Sequence, residues 1–189
     1  NIPEYFISDD NEAHYIIPTK QDELPNDWNQ LNPSFNLNSW QKGRNGLGWE
    51  SNNGTLTSLV RTNLRDQMRS VNASGFFRFE FNFSPQDREL KTLSLKTRVD
   101  DGYVAYLNGV QVASFNSPSP TTWNSKASRT GRPDSDIIRN QSEHDLTSQI
   151  NLVQEGKNVL SIQAMNSSVS GSDFVVDLEL VAGMAKSGQ

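Results

Sequence analysis

The sequence predicts an all-β protein built as an antiparallel β-sandwich, and patterns in the middle of the chain support that prediction. Asn108-Gly109 separates two alternating, β-prone runs, and both central residues of a type I′ hairpin turn need a positive φ, which Asn and Gly adopt at low cost. Four phenylalanines alternate with polar residues, as in a strand with one buried face: Phe77, Phe79, Phe81 and Phe83. About eight such runs with long loops and no strand–helix rhythm favour a sandwich over a barrel or a parallel sheet.

The other elements are predicted from the same periodicities and from turn residues. Short apolar or alternating runs indicate further strands at 14–17, 55–60, 90–99, 157–164 and 174–180. Residues 63–70 are expected to form a helical turn. Residues 25–47 combine Asn, Pro, Gly and Ser with large aromatic residues, which indicates irregular backbone pinned by aromatic anchors. The long loop at 116–136 is of a length that usually serves a function.

Length and composition limit the class of protein. At 189 residues the chain is expected to form one domain, with 1–182 as the sandwich module and 183–189 as a linker or tail. The net charge of −5 is spread out without a Lys/Arg block, so nucleic acid and anionic membranes are poor partners. The absence of cysteine excludes disulfides and thiolate sites, and no apolar run is long enough for membrane insertion. We expect a monomeric piece of a longer, secreted or cell-surface protein.

An ordered set of residues between about 28 and 180 carries a family resemblance. Its members are Trp40, Gly43, Gly46-Leu47-Gly48, Arg78, Asp100-Asp101-Gly102, Tyr106-Leu107-Asn108-Gly109, Asn116, Asn124, Ala127, Gly156-Lys157-Asn158-Val159-Leu160, Asn166, Ser172-Asp173 and Asp177-Leu178. This order resembles the galactose-binding-like jelly-roll modules of multidomain secreted bacterial proteins. The resemblance implies a jelly-roll sandwich that binds rather than catalyses, often a carbohydrate-binding module, sometimes with a structural calcium ion. The chain departs from the family pattern at Trp49 and in the polar segment 129–136.

Carbohydrate binding is the function that the residues favour. Sugars present flat C–H faces rimmed by hydroxyl groups, so a site needs an exposed aromatic plane beside polar side chains. Trp49 and Trp123 lie in polar loops and are the candidate planes, unless they pack against the sandwich edge as Trp28 and Trp40 are expected to do. The candidate polar partners follow Trp123 along the same loop: Asn124, Arg129, Arg132 and Asp136. We therefore predict a noncatalytic module that binds polysaccharide and holds neighbouring domains close to it.

Calcium is the one cofactor that the sequence suggests. The ion takes six to eight oxygen ligands from carboxylates and carbonyls on converging loops. The candidate ligands are Asp100, Asp101, Asn116, Asp173 and Asp177. In the competing interpretation these are solvated or turn-capping residues, because no compact EF-hand-like spacing is present and Asp side chains often hold the backbone at turns. One calcium ion and no ion stay as two alternatives.

Catalysis finds little support in the sequence. His14 and His144 lack a matching serine or a metal-ligand spacing. The segment 61–65, Arg-Thr-Asn-Leu-Arg, is similar to a strand of jelly-roll alginate lyases. However, Asn151 stands where those enzymes have a histidine after Gln-Ile, and no tyrosine occurs late in the chain. We predict that the chain is not an enzyme, and the alternatives to carbohydrate binding are a structural or adhesion module and a lyase-like enzyme.

Overall fold

Two six-stranded sheets face each other in the computed structural model of this protein, which describes residues 2–188. The strands are β1 (Ile2–Ile7), β2 (Glu12–Ile16), β3 (Gln41–Arg44), β4 (Leu47–Glu50), β5 (Thr62–Asn63), β6 (Ser74–Phe83), β7 (Arg88–Asp100), β8 (Gly102–Leu107), β9 (Val110–Phe115), β10 (Ser142–Asp145), β11 (Gly156–Met165) and β12 (Asp173–Lys186). The helices are α1 (Arg65–Met68) and α2 (Asp134–Arg139), with 3₁₀ turns at Gln21–Glu23, Leu37–Ser39, Thr55–Leu59 and Thr147–Leu152. Within this described part, no helix has the length and apolar character that crossing a membrane requires.

The sheet topology is that of an antiparallel sandwich. The first sheet has the order β10-β7-β12-β4-β5, and β1 also pairs with β12. The second sheet has the order β3-β2-β6-β11-β8-β9. All pairs are antiparallel except β4 with β5, which run parallel over a short stretch. The structure therefore confirms the predicted all-β, jelly-roll-type sandwich.

Alternating side chains from both sheets fill the space between them. Phe77, Phe79 and Phe81 of β6 are buried there, as the period of two predicts, while Phe83 at the strand end is only partly buried. From the opposite sheet, every second residue of β12 meets them, including the fully buried Leu178. Burial of this one stripe on each sheet is the main stabilising contribution in such a fold.

The Asn108-Gly109 hairpin forms as predicted between β8 and β9. Asn108 has φ 48° and Gly109 has φ 87°, the two positive values that a type I′ turn requires. The Asn108 side chain also fixes the turn to the neighbouring strand, because its Nδ2 donates to Asn158 Oδ1 at 2.8 Å and its Oδ1 accepts from Val159 N at 2.8 Å. The turn is therefore held by both its backbone conformation and its side chain.

Two local predictions are wrong, and β1 was not anticipated. The strand expected at 55–60 is the 3₁₀ turn Thr55–Leu59, which follows a bend with positive φ at Asn52 and Asn53. The expected linker at 183–189 is strand up to Lys186, because this end of β12 pairs with β7 on one side and, up to Met184, with β1 on the other. The backbone N–H and C=O groups of this end are thus paired within the sheet. Residue 189 lies outside the described residues.

A polar link crosses the core between the two sheets. Tyr103 of β8 is 2% exposed, and its hydroxyl lies 3.0 Å from Thr97 Oγ1 on β7 and 2.6 Å from His144 Nε2 on β10. Desolvation raises the pKa of Tyr103 and lowers the pKa of His144, so both groups are neutral at neutral pH. His144 is therefore engaged in a structural hydrogen bond.

Tyr103→Phe is expected to lower the free energy of unfolding by about 1–2 kcal/mol, because it removes the shared hydroxyl and leaves the half-buried His144 nitrogen without its partner. Urea denaturation at neutral pH measures the change. Tyr5→Phe is the matched control, since Tyr5 is 56% exposed and should tolerate the change. Equal stability of both variants would show that the link contributes nothing.

Candidate functional site

The irregular segment 18–40 covers the outer face of the second sheet. Trp28 and Trp40 pack there in one apolar cluster with Phe76 of β6, as their predicted role of anchors requires. Arg78, also on β6, is completely buried beneath the segment. Its Nη1 donates to Trp28 O at 2.6 Å and to Gln30 O at 2.7 Å. The buried guanidinium thus ties the segment to the sheet.

The loop 121–125 forms a second wall on the same face. Three buried side chains of the sheet or its approach hold it through backbone oxygens. Gln163 Nε2 donates to Thr122 O at 2.8 Å, Asn72 Nδ2 to Trp123 O at 3.2 Å, and Ser74 Oγ to Ser125 O at 2.6 Å. These bonds go to the backbone of the loop, and the side chains of Thr122, Trp123 and Asn124 line a cavity on this face.

A cleft of about 400 Å³ lies between the two walls. The indole of Trp123 is partly exposed at its edge and forms no aromatic pair with any residue in 2–188, whereas Trp28 is 8% exposed. Amide side chains surround it: Gln21, Asn26 and Asn124. A partly exposed indole beside amide side chains has the chemistry that stacks a sugar ring and hydrogen-bonds its hydroxyl groups.

The structure separates the predicted ligand residues: two line the cleft, one is buried in the core, and three lie outside the cleft. Trp123 and Asn124 line the cleft. The prediction for Trp49 is wrong, because this residue of β4 is 1% exposed and stacked on Phe174 with ring centroids 5.5 Å apart. Arg129, Arg132 and Asp136 do not line the cleft.

Arg132 and Asp136 form a structural clamp around α2. Arg132 Nε donates to Asp136 Oδ2 at 2.9 Å, Nη1 donates to Ser142 Oγ at 2.8 Å, and Nη2 donates to Asn140 O at 2.6 Å. These bonds fix the helix end to β10 and satisfy the guanidinium within the protein. Arg129 is exposed, and its carbonyl accepts a bond from Asn116 Nδ2.

A second cavity, of about 340 Å³, has an acidic lining that includes Asp100, Asp101, Asp134 and Asp173. Carboxylate oxygens of Asp134, Asp173 and Glu50 all lie within 4.8 Å of one another. Carboxylate oxygens at this spacing could hold an ion, and hard cations such as calcium prefer them. We call this cavity, together with the Glu50 carboxylate beside Asp134 and Asp173, the acidic cavity.

The predicted metal ligands are only partly brought together. Asp100 and Asp173 line the acidic cavity. Asp177 does not, because it pairs with Arg61 at 3.1 Å and Arg98 at 3.9 Å on the outer face of the first sheet. Burial nevertheless raises the pKa of Asp177, against the effect of the two guanidinium groups.

Asp101 and Asn116 hold the backbone, as turn-capping residues do. Asp101 Oδ1 accepts from Gly131 N at 2.6 Å, and its Oδ2 accepts from Ser167 N at 2.7 Å. Asn116 Nδ2 donates to the carbonyl of Asp101 at 3.3 Å. The structure therefore favours the capping interpretation for these two residues over the metal-binding one.

Mutual repulsion and burial set the charge state of the acidic cavity. Burial, reinforced by Asp101, Asp173 and Asp134, raises the pKa of Asp100 to about 9. Burial and the neighbouring Asp173 raise the pKa of Asp134 to about 6. Asp100 therefore carries a proton at neutral pH unless a cation compensates its charge.

Four candidate site residues could not be identified from the sequence pattern. Glu50 follows the buried Trp49 at the end of β4, and Asp134 opens α2, so only the fold brings them together. Gln21 and Asn26 lie in a segment without periodicity. Pro25 indicates a loop, but it does not indicate which neighbouring side chains line the cleft.

Comparison with solved structures shows which known proteins contain a part with a similar fold. No protein-family profile and no curated protein matches the chain. Among solved structures it is similar to Bacteroides uniformis β-glucuronidase 2 bound to cyclophellitol-6-carboxylate aziridine, with TM-score 0.56 and 12% identity over 96% of this chain and 18% of that one. It is also similar to a Ruminococcus gnavus β-glucuronidase in complex with D-glucaro 1,5-lactone, with TM-score 0.54 and 9% identity over 96% and 29%.

A calcium-binding mutant of the Bacteroides uniformis enzyme gives TM-score 0.53 and 11% identity over 96% of this chain and 18% of that one. A glycoside hydrolase family 2 member from Bacteroides cellulosilyticus gives TM-score 0.50 and 11% identity over 97% and 20%. At these identities the likeness shows the fold alone. The chain spans less than a third of each of these proteins, so it has the fold of one β-sandwich part of much longer enzymes.

The raised pKa of Asp100 predicts a pH-dependent stability. Because the folded state holds a proton up to about pH 9 and the unfolded state loses it near pH 3.8, the free energy of unfolding falls as pH rises between these values. Above about pH 7, where the shifts of Asp134 and His144 no longer contribute, we expect a loss of up to about 1.4 kcal/mol per pH unit in EDTA.

Urea denaturation of the protein and of Asp100→Asn at several pH values above neutrality measures this slope. The neutral amide of Asp100→Asn should flatten it. A flat profile for the unsubstituted protein would mean that Asp100 is ionised in the folded state.

Proposed function

We propose that this chain is a noncatalytic carbohydrate-binding accessory module of a secreted or cell-surface multidomain protein. The observation that carries the proposal is the cleft between two fixed walls, with a partly exposed, unstacked Trp123 and amide side chains beside it. The likeness to parts of carbohydrate-active enzymes supports the same class of ligand. Such a module holds its neighbouring domains close to a polysaccharide, and tethering raises its individually weak affinity.

The lyase-like alternative receives no support from the structure. Arg65, the last residue of the alginate-lyase-like segment, lies in α1 rather than on a strand. Within residues 2–188 its side chain has no hydrogen bond to a histidine or tyrosine, which an acid–base pair for elimination would need.

An adhesion role is the other alternative, and one surface favours it. The exposed Ile2 and Tyr5 lie on β1, and Ile2 also lines a cavity of about 520 Å³ at the end of β12. Apolar side chains at an exposed sheet edge suit contact with another domain. This surface and the cleft lie on different sheets, so both roles are compatible.

Trp123→Ala is expected to lower the affinity for a bound polysaccharide about five- to thirtyfold, because loss of one stacking aromatic removes on the order of 1–2 kcal/mol of contact. Retention on a panel of immobilised plant, algal and bacterial polysaccharides identifies the ligand, and calorimetry measures the affinity. Tyr5→Ala is the matched control, since it removes an exposed aromatic residue from the other sheet. Equal loss in both variants, or none in Trp123→Ala, would rule out the cleft.

We also propose that the acidic cavity holds one structural calcium ion. Asp134, Asp173 and Glu50 supply convergent carboxylates, and the protonated Asp100 beside them is free to ionise once a cation is present. Glu50 already accepts hydrogen bonds from Ser51 N at 2.7 Å and Leu56 N at 3.2 Å, so its orientation is fixed in advance. When bound, the ion would link β4, α2 and the start of β12.

Calcium added after EDTA treatment is expected to raise the melting temperature, because a ligand at a hundred times its dissociation constant stabilises the folded state by about 2.7 kcal/mol. Asp173→Asn should abolish this rise and should itself be more stable than the unsubstituted protein in EDTA, since it relieves repulsion. Asp66→Asn, on the exposed face of α1, is the control and should keep the rise. A rise of equal size in Asp173→Asn would place calcium elsewhere.

A further inference from the structure

We infer that the cleft selects an uncharged glycan chain over polyuronates and sulfated polysaccharides. This inference rests on the proposed carbohydrate-binding function and names the ligand class of the same site. Its basis is the set of polar groups that line the cleft and the charged groups near the cleft that already have partners.

The free polar groups of the cleft are amides. Among residues 2–188, no charged side chain lines the cleft. The side chains of Gln21 and Asn26 form no hydrogen bond with any residue in 2–188. Asn124 Oδ1 accepts from Thr122 Oγ1 at 3.1 Å, which leaves its NH₂ group to donate. Amides both donate and accept, so they match hydroxyl groups, which also do both, better than they match an anion that only accepts.

Three charged groups of the segment 18–40 and of the sheet beneath it already have partners in the protein. The carboxylate of Asp27 accepts from Ser34 N at 2.6 Å, and this bond lowers its pKa. Lys20 pairs with Asp22 at 3.6 Å. Arg78 is buried beneath the segment with its Nη1 bonded to carbonyls. Because no cation among residues 2–188 lines the cleft, a carboxylate or sulfate there would lose hydration without a cation in direct contact.

The arginines that would suit an acidic sugar lie elsewhere. Arg132 is clamped to α2, and Arg129 does not line the cleft. The net charge of −5 adds long-range repulsion toward a polyanion. Both effects favour a neutral ligand.

The cleft also offers a path for more than one sugar unit. A neighbouring cavity of about 610 Å³ shares Leu24 and Pro25 with it, so the two meet along this part of the segment. Within the described part of the chain, the charged residues lining the neighbouring cavity are Lys20 and Asp22, which carry opposite charges and pair at 3.6 Å. A glycan chain lying across both cavities would meet no net charge.

The test compares retention on neutral polysaccharides (galactomannan, xylan and mixed-linkage β-glucan) with retention on polygalacturonate, alginate and chondroitin sulfate, each at low and high salt. We expect binding to at least one neutral polysaccharide, unchanged by salt, and none to the polyanions. For that neutral ligand, Asn26→Ala should lower the affinity about two- to tenfold through one lost hydrogen bond. Asn38→Ala is the matched control, an exposed amide of the same segment outside the cleft.

The outcomes separate the two levels of the proposal. Salt-sensitive retention on a polyanion that Trp123→Ala abolishes would overturn the uncharged class while keeping the carbohydrate-binding function. Absence of retention on both panels, by a protein whose thermal unfolding shows it to be folded, would overturn both. Equal effects of Asn26→Ala and Asn38→Ala would overturn the assignment of the cleft amides.

Discussion

The candidate cleft depends on the burial of one positive charge. Arg78 is fully buried in the second sheet, where an unpaired guanidinium costs on the order of several kcal/mol. A carboxylate oxygen of Glu80 lies 4.0 Å from Arg78 Nη2, and Arg78 Nε has no hydrogen-bond partner within residues 2–188. The carbonyls of Trp28 and Gln30 therefore supply most of its compensation, and they do so only when the segment lies on the sheet. The segment and the sheet stabilise each other, and one wall of the cleft results.

At the acidic cavity, backbone N–H groups compensate the charge of Asp101, as backbone carbonyls compensate the charge of Arg78. Asp134 and Asp173 repel each other, which by itself would drive their two elements apart, whereas Asp100 holds a proton at neutral pH. Asp101 counters this because its two oxygens bond the backbone of separate loops, at Gly131 and Ser167. A carboxylate that is satisfied by backbone N–H groups thus holds unsatisfied carboxylates in place, and the raised pKa values show the remaining electrostatic cost.

The sequence predicts what depends on local pattern and misses what depends on convergence. The Asn108-Gly109 turn and the alternating phenylalanines of β6 follow from short-range rules, and the structure confirms both. Trp49 has no such rule, because a tryptophan in a polar segment is equally consistent with a ligand plane and with a buried anchor. Glu50 meets Asp173 because β4 pairs with β12, and Asp134 joins them from α2, so their approach is visible only in the folded structure.

The loop 116–136 connects the two candidate sites, yet its two ends are fixed independently. Near its start, Thr122 and Trp123 are held to the second sheet by side chains of Gln163 and Asn72. Near its end, Asp101 fixes Gly131 before the chain enters α2. The two anchors use different side chains, so the proposed cation and the proposed glycan would be held by separate sets of contacts.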